Sequence, residues 1–260
     1  MQARLLPAMR GVSWIVDGFR LYRRNPPLLT TLTLGYLLLV VAFGQWQPVG
    51  PFLLPLFLPM LTVLIANGCR SLSLGLPRQA LLHGLREQRA ALFRLGGLHL
   101  LGTLAILAVD QLLQGGESGA DPGGDGAAIR LDEAELLWHM LRVLLIALPV
   151  LLAFWFAPLL TAWEGIPALK SLFFSLVAVW RNWRAFMVYA VTATLIGVVL
   201  PGVLLLVASL VSKPLVEGLA VVLRLMLLLM FAPVLITGIY QSYQDVFAPV
   251  TDPGTAADAA

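Results

Sequence analysis

"GFRLYRRNPPLL", Gly18 to Leu29, sets three arginines and two prolines directly before a long apolar run. A related stretch, "SLVAVWRNWRAF", returns at Ser175 to Phe186, again ahead of an apolar run. Both read as the place where a chain turns from the surface of a bilayer into it. Just upstream, "VSWIVDGFRLYRRN" over residues 12–25 puts Val12, Ile15, Val16, Phe19 and Tyr22 on one helical face. Asp17, Arg20, Arg23 and Arg24 fall largely elsewhere, which predicts an interfacial helix lying along the membrane. Pro26 and Pro27 end that helix and permit the turn inward.

The apolar run after the prolines is one of several. Hydrophobic residues make up 59% of the chain and charged residues 12%, whereas soluble domains run nearer half apolar and a quarter charged. Windows of about 18 to 20 apolar residues suffice for a helix to cross a hydrocarbon core roughly 30 Å thick. The runs are continuous in Leu, Val and Ala rather than alternating, which excludes the β-barrel pattern and leaves helices. The expected fold is all-α and polytopic, with six spans.

The spans are predicted at about 28–44, 51–67, 92–113, 136–163, 185–209 and 218–240. "QWQPVG" is a short turn with Trp46 at headgroup level. Residues 68–91 form a basic loop whose "RQALLHGLREQRA" predicts a second surface helix, and 164–184 a third surface segment. "QGGESGADPGGDGAAIRLDEAE", 114–135, has no apolar period and is expected to be a flexible acidic loop. Residues 248–260 are expected to form a disordered tail, leaving 1–247 as one transmembrane domain. No cleavable signal peptide is expected, because the residues before the first span carry their own helical pattern.

Thirteen of the 17 basic residues lie in the N-terminal segment, in the loops after the second and fourth spans or, as Arg94, at the very start of the third span. That asymmetry predicts both termini in the cytoplasm. The net charge of +3 is scattered over loops, with no basic tail or Arg/aromatic stripe, so no nucleic-acid partner is expected. The lone Cys69 excludes an intramolecular disulfide.

Placed together without gaps, GFRLYRRNPPLL at 18, GLREQRAALFRL at 84 and SLVAVWRNWRAF at 175 each precede two spans. The second span of each pair holds a similar proline, in "LPML" at Pro59, "APLL" at Pro158 and "APVL" at Pro233. The chain therefore reads as three units of interfacial helix plus hairpin, about 12–68, 78–163 and 168–241, with those prolines as helix kinks. The competing reading is the sameness of any Arg-flanked apolar helix. Arg23, Arg24, Arg181 and Arg184 either fix topology or form an anionic-lipid headgroup site. Tyr22, Trp180 and Trp183 are expected as anchors at the same level, and Asn25 and Asn182 as partners for backbone groups freed at the turn.

"PAMRGVSWIVDGFRLYRRNPPLLT", with "FWFAPLL" and "VWRNWRAF", resembles an uncharacterised bacterial multi-pass inner-membrane family with a G-F-x-L-[FY]-R-R-N-P signature. The resemblance runs from residue 4 to about 247, apart from the acidic loop. It implies an inner (plasma) membrane protein and brings no activity and no site residues.

For chemistry there is little. No GxxxxGK[ST], HExxH, GxSxG or CxxC occurs, and no catalytic residue, metal site or cofactor is expected. His83, His99 and His139 are far apart in sequence. The polar residues inside spans carry the remaining interest, since charge in hydrocarbon is costly and often functional. Asp110, Arg142 and Arg224 all fall in the outer third, so Asp110 pairs with one of the arginines, the arginines snorkel, or the three serve a substrate route. His99 reads as a hydrogen-bonded packing residue ahead of a proton carrier. Small residues at Ala190, Ala193, Thr194 and Gly197 predict close helix packing in span five.

Three functional readings follow. A non-enzymatic membrane helper or scaffold, contacting anionic lipid or a membrane partner, leads. A small-solute transporter or channel is the alternative, and a polar cavity reaching the midplane would favour it. An enzyme acting on lipids would need clustered His, Asp or Glu at one interface. The sequence names no protein partner and no oligomeric state.

Overall fold

A computed structural model describes residues 3–115 and 133–247, and every regular element among them is helical. A surface helix α1 (Arg10–Tyr22) precedes α2 (Pro26–Gln45) and α3 (Gly50–Leu74); a 3-10 turn at Arg78–Leu82 leads to α4 (Arg89–Gly115). Then come α5 (Glu133–Phe154), α6 (Ala157–Glu164) and α7 (Ala168–Arg181). The last two spans are α8 (Trp183–Thr194) with α9 (Leu200–Ser209), and α10 (Lys213–Met226) with α11 (Ala232–Phe247). Each of those pairs is joined by a π-helical segment, Leu195–Val199 and Leu227–Phe231.

Among the described residues, six stretches are long and apolar enough to span: Pro26–Gln45, Gly50–Leu74, Arg89–Leu113, Glu135–Glu164, Trp183–Ser209 and Lys213–Phe247. Their centres match the expected positions, because an uninterrupted apolar run in lipid must satisfy its backbone within one helix. Several of the expected ends fall short, since helices continue past the apolar window into polar ground. Most of the acidic loop and the whole 248–260 tail lie outside the described residues.

The break between α1 and α2 follows from Asn25 and the prolines. Asn25 Oδ1 accepts the Leu28 N–H at 3.2 Å, capping α2. Pro26 and Pro27 fill the first turn, where their missing donors cost nothing.

The described residues cluster into two compact units. The first takes its residues from Met1–Leu39, Leu64–His83 and Val177–Ala260. Its core forms where α1 docks on α8 and α11. The buried face of α1 is Gly11, Trp14, Ile15, Gly18 and Leu21, while Val16 and Phe19 stay exposed. This corrects the expectation of a helix whose Val12–Tyr22 face simply rests on lipid. The reason is the pair of glycines seven residues apart: a Cβ on Gly18 would sit 2.7 Å from Thr237 Oγ1, and one on Gly11 would meet the Ala185 carbonyl. Trp14 fills the space between, its ring 5.0 Å from Phe186 and 6.0 Å from Tyr189.

The second unit takes its residues from Val40–Val63 and Gly84–Leu176. Two small clusters hold it, Val63 with Leu92 and Ala162, and Leu95 with Ala157 and Ala168. Between Leu74 and Arg89 the predicted surface helix is absent: the 3-10 turn ends by Leu82 and hydrogen-bonded turns run on to α4. Gly84 breaks it. Its φ is +73°, and the chain there passes against the Ala162 carbonyl so closely that a side chain would not fit.

Small residues behave unevenly. Of the four small residues expected to pack in span five, Gly197 makes a close approach, to the Phe231 ring, where a Cβ would lie 2.5 Å away. Ala190 and Thr194 are exposed, which corrects their assignment to a packing stripe.

Candidate functional site

Membrane-spanning helices pay for each proline with an unpaired carbonyl, because residue i has no N–H for the oxygen at i−4. Pro59 and Pro233 each leave such an oxygen beside a polar side chain, whereas the polar bridge near Pro158 falls on a neighbouring rung that the proline itself does not break. Pro59 is inside α3, and the carbonyl four residues earlier belongs to Pro55. His99 lies against that carbonyl, its Nδ1 being buried without a partner among the described residues. Its ring packs 4.5 Å from that of Phe154.

Pro158 is in the first turn of α6, after the helix opens at Trp155 and Phe156. The Phe156 N–H donates to Ser175 Oγ at 2.9 Å, and Ser175 Oγ donates to the Leu152 carbonyl at 3.0 Å. One hydroxyl is thus inserted into a helical rung. Pro233 opens α11 behind the π segment, and the oxygen it leaves belongs to Leu229. Tyr22 Oη and Thr30 Oγ1 both donate to it, each at 3.0 Å. Tyr22 therefore turns its hydroxyl to the protein. Sequence reading also passed over Pro201, which follows the other π segment in the same way. Wider π turns accommodate a proline ring that would strike the preceding carbonyl.

A second polar group lies at the other end of α4 and α5. Asp110 Oδ1 accepts Arg142 Nε at 3.2 Å, and Arg142 Nη2 meets His139 Nδ1 at 3.1 Å. Asp110 is buried and the Arg142 side chain is 26% exposed. Of the two arginines considered for Asp110, Arg142 is the one beside it. Arg224 is exposed on α10 with no ion partner among the described residues.

The four arginines next to the bilayer turns are all exposed. Arg24 Nη1 approaches the Leu72 carbonyl at 3.4 Å, and Arg184 lies over the Trp183 ring at 5.6 Å. Trp180 and Trp183 are 70% and 55% exposed, as headgroup anchors require.

Two side chains that sequence reading missed, or read only in part, tie the described ends together. Asp245 accepts Arg10 Nε at 2.9 Å and Trp14 Nε1 at 2.7 Å. Asn182, expected only to bond freed backbone, holds the Ala178 carbonyl and also clasps the extended segment before α1. Its Oδ1 accepts the Leu6 N–H and its Nδ2 donates to the Arg4 carbonyl, both at 2.9 Å. The signal for Asp245 was available: it is the one acidic residue of α11, and Arg10 starts α1.

Comparison with known proteins gives one relative. The chain is 36% identical over 200 residues to a probable inner membrane protein of Burkholderia thailandensis, across 73% of this chain and 74% of that one. No family model matches the chain, and no solved structure does.

Proposed function

The chain belongs to the family of this probable inner membrane protein, and from that premise we propose that it is a non-enzymatic membrane helper or scaffold. It works through contact with anionic lipid or a membrane partner. Its standing as a multi-pass inner-membrane protein follows from the relative and from the six spans. The described ends lie side by side, the Arg4 N–H donating to the Val246 carbonyl at 2.9 Å. Basic residues concentrated on that side favour a cytoplasmic location for both.

The observation that carries the proposal is a division of labour among polar groups. Of the groups a transport route would use, Asp110 and Arg142 are bonded to each other and His99 is set against the Pro55 carbonyl. Arg23, Arg24, Arg181 and Arg184 stay exposed, Arg184 over the ring of Trp183. Each arginine near an anionic leaflet gains about 1 kcal/mol. The test is mass spectrometry of lipid retained after gentle detergent extraction. The R23Q/R24Q/R181Q/R184Q variant should lose phosphatidylglycerol relative to wild type; equal retention would remove the lipid contact.

Three repeated units are part of the same reading. Near each of the repeated prolines stands a polar side chain from another unit: His99 of the second beside Pro59, Ser175 of the third bridging a rung close to Pro158, and Tyr22 with Thr30 of the first at the oxygen left by Pro233. A proline in the second span of every unit, each with a polar side chain of another unit close by, fits duplication better than shared composition.

Transport is the second reading, favoured by the π segments of the last two spans, which meet at Gly197 and Phe231. Such segments are frequent at functional sites. Solute flux in proteoliposomes that disappears in a G197V variant would replace the scaffold reading.

A further inference from the structure

We propose that a cleft on α1 binds the phosphodiester of an anionic glycerophospholipid. The cleft holds about 270 Å3 and is lined by Asp17, Arg20, Leu21, Arg24, Ser73 and Gln241. The proposal rests on the reading above that this end of α1 meets lipid, but it names a site separate from Arg181 and Arg184.

Arg20 in the last turn of α1 and Arg24 just past its end both line the cleft. Arg20 Nη1 is steadied by Asp17 at 2.8 Å and Arg24 Nη1 by the Leu72 carbonyl at 3.4 Å. Each guanidinium has five N–H donors, so most remain for a ligand. The carbonyl end of α1 favours cations at that position. Gln241 makes no side-chain hydrogen bond among the described residues, which leaves its amide donors open on the facing wall. Ser73 Oγ is already committed to Tyr240 Oη and the Arg70 carbonyl, so it serves as wall and not as ligand.

The charge count selects the ligand. Two arginines against one aspartate leave a surplus of one positive charge, suited to a phosphodiester monoanion and poorly suited to a phosphomonoester dianion. The surroundings select an amphiphile. Phe19 and Leu74, neighbours in sequence of lining residues, are 38% and 60% exposed, which provides apolar surface for acyl chains next to a charged cleft.

The test uses the full chain in phosphatidylcholine nanodiscs doped with phosphatidylglycerol, read by native mass spectrometry. R20Q/R24Q should reduce retained phosphatidylglycerol about tenfold or more, from the loss of two arginine contacts at an anionic surface. R181Q/R184Q should leave that bound lipid in place, so failure of the arginine belt and failure of the cleft are distinguishable. D17N should shift preference toward phosphatidic acid. Unchanged retention in R20Q/R24Q overturns the proposal. Displacement of the lipid by millimolar glycerol phosphate would reassign the cleft to soluble phosphate esters and also overturn it.

Discussion

Tyr22 donates its hydroxyl, at 3.0 Å, to the carbonyl of Leu229, the oxygen that Pro233 has no N–H to reach. The two residues stand 207 positions apart. Contact between them joins the end of the first surface helix to the middle of the last span. It turns a proline, normally read as a local weakness, into a docking point for a distant helix.

Removing that contact and its companion should be costly. In Y22F/T30V the Leu229 carbonyl loses both donors, and the expected loss of stability is about 1–3 kcal/mol. Adding P233A supplies a backbone N–H for the same oxygen and should restore part of the loss. Thermal unfolding in detergent, arranged as a mutant cycle, reads the coupling; strict additivity would show that the proline and the hydroxyls act separately.

Ser175 should be equally sensitive. Its hydroxyl is the bridge between the Phe156 N–H and the Leu152 carbonyl. S175A should destabilise the protein by about 1–2 kcal/mol, and hydrogen exchange should rise at the amide of Phe156. An unchanged exchange rate there would mean that the helix closes the rung by itself.

Docking of α1 depends on its glycines. G18A brings a methyl group to within 2.7 Å of Thr237 Oγ1, and G11A forces α1 away from the Ala185 carbonyl. Each should cost about 1–3 kcal/mol, the range for overpacking. Gly35 provides the control, since nothing lies within 4 Å of its position, and G35A should be neutral or slightly stabilising. Melting temperatures of the three variants decide the matter.

The Asp110–Arg142 pair should show the asymmetry of buried charge. D110L leaves Arg142 without its partner, costing about 1–3 kcal/mol, less than a fully buried ion because the Arg142 side chain is 26% exposed and can reach outward. D110L/R142L should be more stable than D110L alone. A double variant worse than the single would point to a role for the charges beyond pairing.

Asp245 predicts a coupling between the described ends. D245N weakens its bonds to Arg10 and Trp14 at once. Proteolysis within residues 3–9 should accelerate, and R10Q should add little in that background. Independent effects of the two substitutions would dissolve the proposed clasp.

How much of this was legible beforehand follows from the range over which each feature is set. Crossing a membrane depends on some 20 consecutive residues, each contributing its own transfer free energy, so the number and position of the spans were written in the chain alone. Capping of α2 by Asn25 was also local. The glycine face of α1 was not, because glycine lowers apparent hydrophobicity while permitting the closest packing. Nor could the chain tell that Gly84 would interrupt an amphipathic pattern, since the obstacle is a carbonyl of Ala162 far along the sequence. The choice of Arg142 over Arg224 for Asp110, and of a histidine, a serine and two hydroxyls for three unpaired backbone sites, belonged to the tertiary structure. Lipid cannot supply a hydrogen bond, so those partners are fixed by which helices come to lie together, and no local pattern encodes that.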